Sequence, residues 1–116
     1  MATISAAPKE VGPVPQFDHT KPYKEHEKAM ATFIKKVEVW AKKNGSSELA
    51  GKQIRFQVAD GYAQYVVVSL TPVKLIHLAI GDAWEFQYAN RLRAADIREQ
   101  VRREDALDRI FQSGPA

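Results

Sequence analysis

The chain has no cysteine, which excludes disulfides and thiol nucleophiles and suits a reducing compartment. No apolar run approaches the roughly 20 residues that a membrane-spanning helix needs. No basic region leads into an apolar one near the N-terminus, so no secretory leader is expected. Glycine-rich phosphate cradles (G-x-G-x-x-G, G-K-[ST]) and the nucleophile elbow G-x-S-x-G are missing. The histidines, His19, His26 and His77, are scattered. A metal centre needs three or four convergent ligands, and the adjacent His26 and Glu27 diverge on a helix. Neighbouring carboxylates such as Glu104 and Asp105 read as solvated helix charge. The expectation is no catalytic residue, metal, cofactor or small-molecule substrate, hence no enzyme.

What is present is a chain of 116 residues, long enough for one domain with a core of its own. Hydrophobic residues make up 45%, ordinary for a globular protein. The formal charge is +3 with a pI near 9.2, mildly basic, and it permits a nucleic-acid partner without requiring one. The default location is the cytoplasm, or a virion if the chain is a viral component.

Residues 1–20 carry Pro8, Gly12, Pro13 and Pro15 with no helical or strand period. They read as a tail that is disordered or held by a partner. The domain is expected over 21–112, with 113–116 a C-terminal tail. Asp18 or Thr20 can cap a first helix over about 22–43, whose Met30, Phe33, Ile34, Val37, Trp40 and Ala41 share one face. Asn44-Gly45 stops it, with Gly45 suited to the left-handed conformation.

Residues 53–70 read as a β-hairpin turning at Asp60-Gly61. That turn would pair Val58 with Ala63, Phe56 with Tyr65 and Ile54 with Val67. Ile54, Phe56, Val58, Ala63, Tyr65 and Val67 then share one apolar face, and Gln53, Arg55, Gln57 and Gln64 the other. A third strand is expected over 73–80, ended by Gly81-Asp82. Residues 83–93 suggest a short helix or irregular segment, with Asp82 and Glu85 resembling a capping box, or else a short fourth strand over Ala83 to Phe86. Asp96 would cap a last helix with an inner stripe of Ile97, Val101, Leu107 and Phe111. The expected fold is two-layer α+β, helix – three-stranded antiparallel sheet – helix, with Phe33, Trp40, Ile54 and Phe56 central to the core.

This order of elements resembles the double-stranded RNA-binding domain in topology. Where that family carries K-K-x-A-K at the start of its second helix, this chain reads Ala94-Ala95-Asp96-Ile97-Arg98. The resemblance therefore implies an order of elements and no activity.

Two surfaces stand out. Tyr62, Val66, Val68 and Leu70 would form a second apolar sheet face, and a face left in water marks an interface with another protein or a second copy. Basic residues lie on both helices: Lys35 and Lys36 on the first, Arg91, Arg93 and Arg98 at the second. These are candidates for phosphate contact, although acids interleave with the arginines. The functional expectation is a small non-enzymatic interaction or structural protein, a subunit or adaptor in a larger assembly such as a viral particle. The alternative is a nucleic-acid-binding module.

Overall fold

The computed structural model describes residues 2–46, 48–58, 61–78 and 89–112. In chain order the elements are β1 (Thr3–Ser5), α1 (Tyr23–Asn44), β2 (Gln53–Val58), β3 (Gly61–Leu70), β4 (Val73–His77), a 3₁₀ turn at Ala89–Arg91 and α2 (Ala94–Gln112). The strands form one sheet in the order β1-β4-β3-β2. The pairs β2–β3 and β3–β4 are antiparallel, whereas β1 runs parallel to β4. The fold is thus α+β as expected, but with a fourth strand drawn from the supposed tail. Three residues are too short a run to carry a sequence period, and Ile4 opposite Leu75 takes its order from pairing alone.

Strand β3 explains the layering. Both of its alternating residue sets are apolar, so both faces of the sheet need cover. One face gathers Ile54, Ala63, Tyr65, Val67 and Leu75 under Ile97 and Val101 of α2. The opposite face gathers Val66, Val68, Ile76 and Leu78 under Met30, Phe33, Val37 and Ala41 of α1. The helices therefore lie on opposite sides of the sheet, giving three layers in place of two. Residues Ala7, Val11 and Val14 pack beside α1 on its face, so the N-terminal segment belongs to the core boundary.

The hairpin register differs from expectation by two positions. Val58 pairs with Gly61, Phe56 with Ala63 and Ile54 with Tyr65. The connection is thus Ala59-Asp60, and both residues lie outside those described. A shift of two preserves the side-chain parity, so Ile54, Phe56, Ala63, Tyr65 and Val67 still share a face, where a shift of one would have reversed it. Further along, a bulge between Val67 and Ser69 changes the parity. Leu70 consequently joins the α2 cluster while Val66 and Val68 join the α1 cluster.

Of the four residues expected to dominate the core, Ile54 and Phe33 are buried. Phe56 and Trp40 are only partly so, and Tyr65 is the largest fully enclosed side chain. The strand expected over 73–80 is β4, which ends at His77; Ala79, Ile80, Gly81, Asp82 and the segment to Tyr88 lie outside the described residues, as do 113–116.

The ends of α1 follow a different chemistry from that expected. Pro22 occupies the N-cap position without a side-chain cap. Asp18 instead accepts hydrogen bonds from the Thr20 backbone N–H (2.9 Å) and hydroxyl (2.7 Å), closing a local turn. Gly45 is extended (φ −84°, ψ 166°), not left-handed. Its necessity is spatial: a Cβ there would collide with the carbonyl oxygens of Val68 and Ala41. Gly51, at φ +87°, closes against α1 in the same way. Together they let the end of α1 settle onto β3, where the Ser46 N–H donates to Val68 O (3.3 Å) and the Ser46 and Ser69 hydroxyls meet at 3.1 Å.

Helix α2 begins at Ala94, so Asp96 sits inside its first turn and reaches back to accept the Arg93 N–H at 2.8 Å. One turn further on, α2 finishes the sheet. The outer edge strand β2 leaves the Arg55 N–H and C=O without a neighbouring strand. Glu104 accepts that N–H at 2.9 Å, and Gln100 Nε2 donates to that carbonyl at 2.7 Å. Two side chains four residues apart on one helix face thus take the place of a fifth strand.

Three outcomes follow. Ile54→Ala should cost about 2–5 kcal/mol, and Gln57→Ala, exposed on the same strand, less than about 0.5 kcal/mol, read by denaturant unfolding. At the edge, the Gln100→Ala, Glu104→Ala double variant should associate at concentrations where wild type does not, as light scattering would report. Burial holds the Glu104 carboxyl above its ordinary value, opposed by the Arg55 N–H. A raised carboxyl contributes stability at low pH that is lost as pH rises through its folded value. Glu104→Gln should therefore gain on wild type in stability as pH rises from below 4.5 to neutral.

Candidate functional site

Charge divides the two helices. Lys24, Lys28, Lys35, Lys36, Lys42 and Lys43 outnumber Glu25, Glu27 and Glu38 on α1, an excess equal to the +3 of the entire chain. With Met30, Phe33, Val37 and Ala41 turned to the sheet, helical geometry sends these lysines to the outer side. Lys28, Lys35 and Lys42 recur at seven-residue spacing, as do Lys36 and Lys43, which sets two rows with a step of about 10 Å along the helix. Among the described residues none of these six ammonium groups makes an ion pair. The exposed Val39 lies between the rows.

The arginines of α2 are arranged otherwise. Glu99 binds Arg102 at 2.6 Å and Arg103 at 3.2 Å; these arginines, Arg102 first, hold its carboxyl below the usual glutamate value. Arg93 meets Asp96 at 3.4 Å, and its backbone N–H chiefly lowers the Asp96 carboxyl. Arg98 meets Glu48 at 3.7 Å. Lys35 and Lys36 therefore stand on one side of the sheet and Arg93 and Arg98 with the other helix, each of the latter facing a carboxylate. The structure does not join the five expected basic residues into one surface. Arg91 ends the 3₁₀ turn.

The expected apolar interface is also redistributed. Val66, Val68 and Leu70 are buried within the chain, because α1 covers the first two and the bulge turns the third inward. Only Tyr62 remains exposed, with the Arg55 guanidinium 5.5 Å from its ring centre. The open face from which a partner was inferred is occupied by the protein's own helix. His77 lies on β4 with its ring tilted at 41° to the Tyr65 ring, 5.2 Å between centres.

A polar cleft of about 520 Å³ lies between α1, residues 48–52, the β2 edge and α2. Its carboxylates Glu38, Glu48, Glu104, Asp105 and Asp108 are mixed with Lys42, Lys52 and Arg55. The Lys52–Asp105 pair at 3.0 Å and the Arg55–Glu104 pair at 3.7 Å compensate charge across it. Among the described residues no cluster has the composition of a metal site.

One feature escaped the sequence reading. The first two turns of α1 precede Met30, the first buried residue of the helix, and carry Tyr23 and His26. The Asp18 turn folds the chain back so that Phe17 reaches both. Ring centres are 5.4 Å apart for Phe17 and His26, and 6.0 Å for Phe17 and Tyr23. His19 adds an edge-on contact to Phe17 at 5.0 Å. Phe17 is nonetheless 48% exposed and Tyr23 60%. The signal was the interleaving of aromatic and basic residues over 17–28, which has no helical period because it spans a turn and a helix start.

Comparison with known protein families, characterised proteins and solved structures yields no match to this chain.

The Asp18 turn gives a testable pH dependence. The two hydrogen bonds from Thr20 hold the Asp18 carboxyl below its ordinary value of 3.8. A depressed carboxyl contributes stability above its unfolded value that is lost as pH falls through the folded one. Asp18→Ala should leave the wild type no advantage at a pH well below 3.8, and a small one at neutral pH, seen as a shift in thermal midpoint.

Proposed function

We propose that the protein is a non-enzymatic binding module that engages nucleic acid through the outer face of α1. The observation that carries this reading is the double row of unpaired lysines, which holds the chain's whole charge excess on one helix face. Regularly spaced ammonium groups on a rigid helix suit a polymer of regularly spaced phosphates, and displacement of counterions supplies the affinity. Lysine acts there as a point charge, so the contact would be to the backbone and indifferent to sequence. Lys35 and Lys36 are the central residues of this face. The α2 arginines are spent on intramolecular carboxylates and contribute little.

A second reading is association with another protein as a subunit or adaptor. It now rests on the C-terminal half of α2, where Leu107 and Ile110 are 52% and 64% exposed. Of the expected inner stripe, Ile97 and Val101 are buried and Leu107 is exposed, while the Phe111 side chain lies outside the described residues.

Fluorescence anisotropy with a short labelled oligonucleotide tests the first reading. Wild type should bind with an affinity that falls steeply between about 50 and 200 mM salt. The Lys35→Gln, Lys36→Gln double variant should lower the slope of log affinity against log salt by about 1–2. Arg102→Gln should leave it unchanged. Affinity that is flat with salt, or equally sensitive to the α2 substitution, would refute the assignment.

A further inference from the structure

The aromatic cluster at the start of α1 has no role in packing the sheet. Phe17 and Tyr23 are not members of either core cluster, and burial on α1 begins at Met30. Exposed rings of this size stand in water at a cost that a purely structural cap would avoid by turning them inward. Their mutual geometry is fixed from both sides. The Asp18–Thr20 bonds hold the turn that delivers Phe17, and the helix holds Tyr23 and His26. His26 Nδ1 is covered and has no hydrogen-bond partner among the described residues, so the cluster persists against the loss of a solvated nitrogen.

The setting is cationic. Lys21, Lys24 and Lys28 are exposed around the cluster, and the lysine rows lead away from it along the same helix. Flat π-surfaces beside ammonium groups match a polymer that carries flat heterocycles on a phosphate chain. In a duplex the heterocycles are stacked on one another and their faces are closed to a protein ring. In a single strand they are open. A rim of apolar rings would gain nothing from a duplex or from a sulfated polysaccharide, since neither offers a free base face.

We infer that Phe17 and Tyr23 form a stacking platform for unpaired bases, which makes single-stranded nucleic acid the preferred ligand of the α1 face. This rests on the reading of α1 as a phosphate-binding face and adds the choice between single and double strands. The rings supply base contact and the lysines supply charge. The two contributions separate in experiment because only the second releases counterions.

The test compares three probes on the full chain: a labelled single-stranded oligonucleotide, the duplex of the same sequence, and heparin, which carries charge without bases. Wild type should favour the single strand over the other two. Phe17→Ala and Tyr23→Ala should each weaken the single strand by about 5- to 150-fold while leaving duplex and heparin affinity within about twofold. The salt slope should stay as in wild type, since no phosphate contact is lost. Phe17→Trp should keep the preference, and circular dichroism melting should confirm that the variants fold. Equal affinity for all three probes, unmoved by Phe17→Ala, would overturn the platform and leave the α1 reading intact. A loss at Phe17→Ala shared by duplex and heparin would likewise overturn it, as a structural effect on the helix start. Binding of no probe would overturn both.

Discussion

The central constraint on this structure is the double-sided hydrophobicity of β3. Tyr65 and Val67 point to one side of the sheet and Val66 and Val68 to the other, and all four are buried. A strand of this kind is stable only as an inner strand with cover above and below. It therefore takes β2 and β4 as neighbours and draws one helix to each face. The chain meets the demand in order: α1 arrives before the sheet and α2 after it. Everything exposed, including the lysine face, is what remains once both helices have turned their apolar stripes inward.

That same property was visible in the sequence and gave the wrong consequence. Helix, hairpin, third strand and second helix were all legible, because hydrophobic period and turn residues speak locally. Which helix lies on which face is not local. The amphipathic stripe of α1 would fit either side, so an open valine face seemed to need a partner when Val37 and Phe33 were available to fill it. The register had a similar limit. Pairing Phe56 with Ala63 in place of Tyr65 moves the register by two positions while keeping the described side chains of β2 on their faces, and composition is nearly blind to such a shift. The bulge before Ser69 and the short β1 are set by pairing, which leaves no periodic trace.

The site was legible in part. Lys35 and Lys36 were recognised as basic and exposed, but their separation from the arginines depends on the three-layer arrangement. Arg93, Arg102 and Arg103 pair with carboxylates three and four residues away, a pattern that spacing does reveal, whereas Arg98 meets the distant Glu48. The α1 lysines have such neighbours too, Glu25 before Lys28 and Glu38 between Lys35 and Lys42, yet among the described residues no ion pair forms there, which spacing does not reveal. The aromatic platform combines a turn residue with helix residues, so a ring brought near by a hydrogen-bonded turn could not be found from spacing alone.

The parallel pairing of β1 has a consequence in time. Thr3 finds its partner in Lys74, 71 positions later. During synthesis residues 3–5 must wait until some 70 further residues have followed before their strand can form. Loop closure over such a distance is slow compared with hairpin and helix formation. The sheet is expected to assemble from β2, β3 and β4 first, and the N-terminal segment to be laid along β4 as a late, clasping step. A protease or a chaperone acting in that interval would meet residues 3–5 before they become part of the sheet.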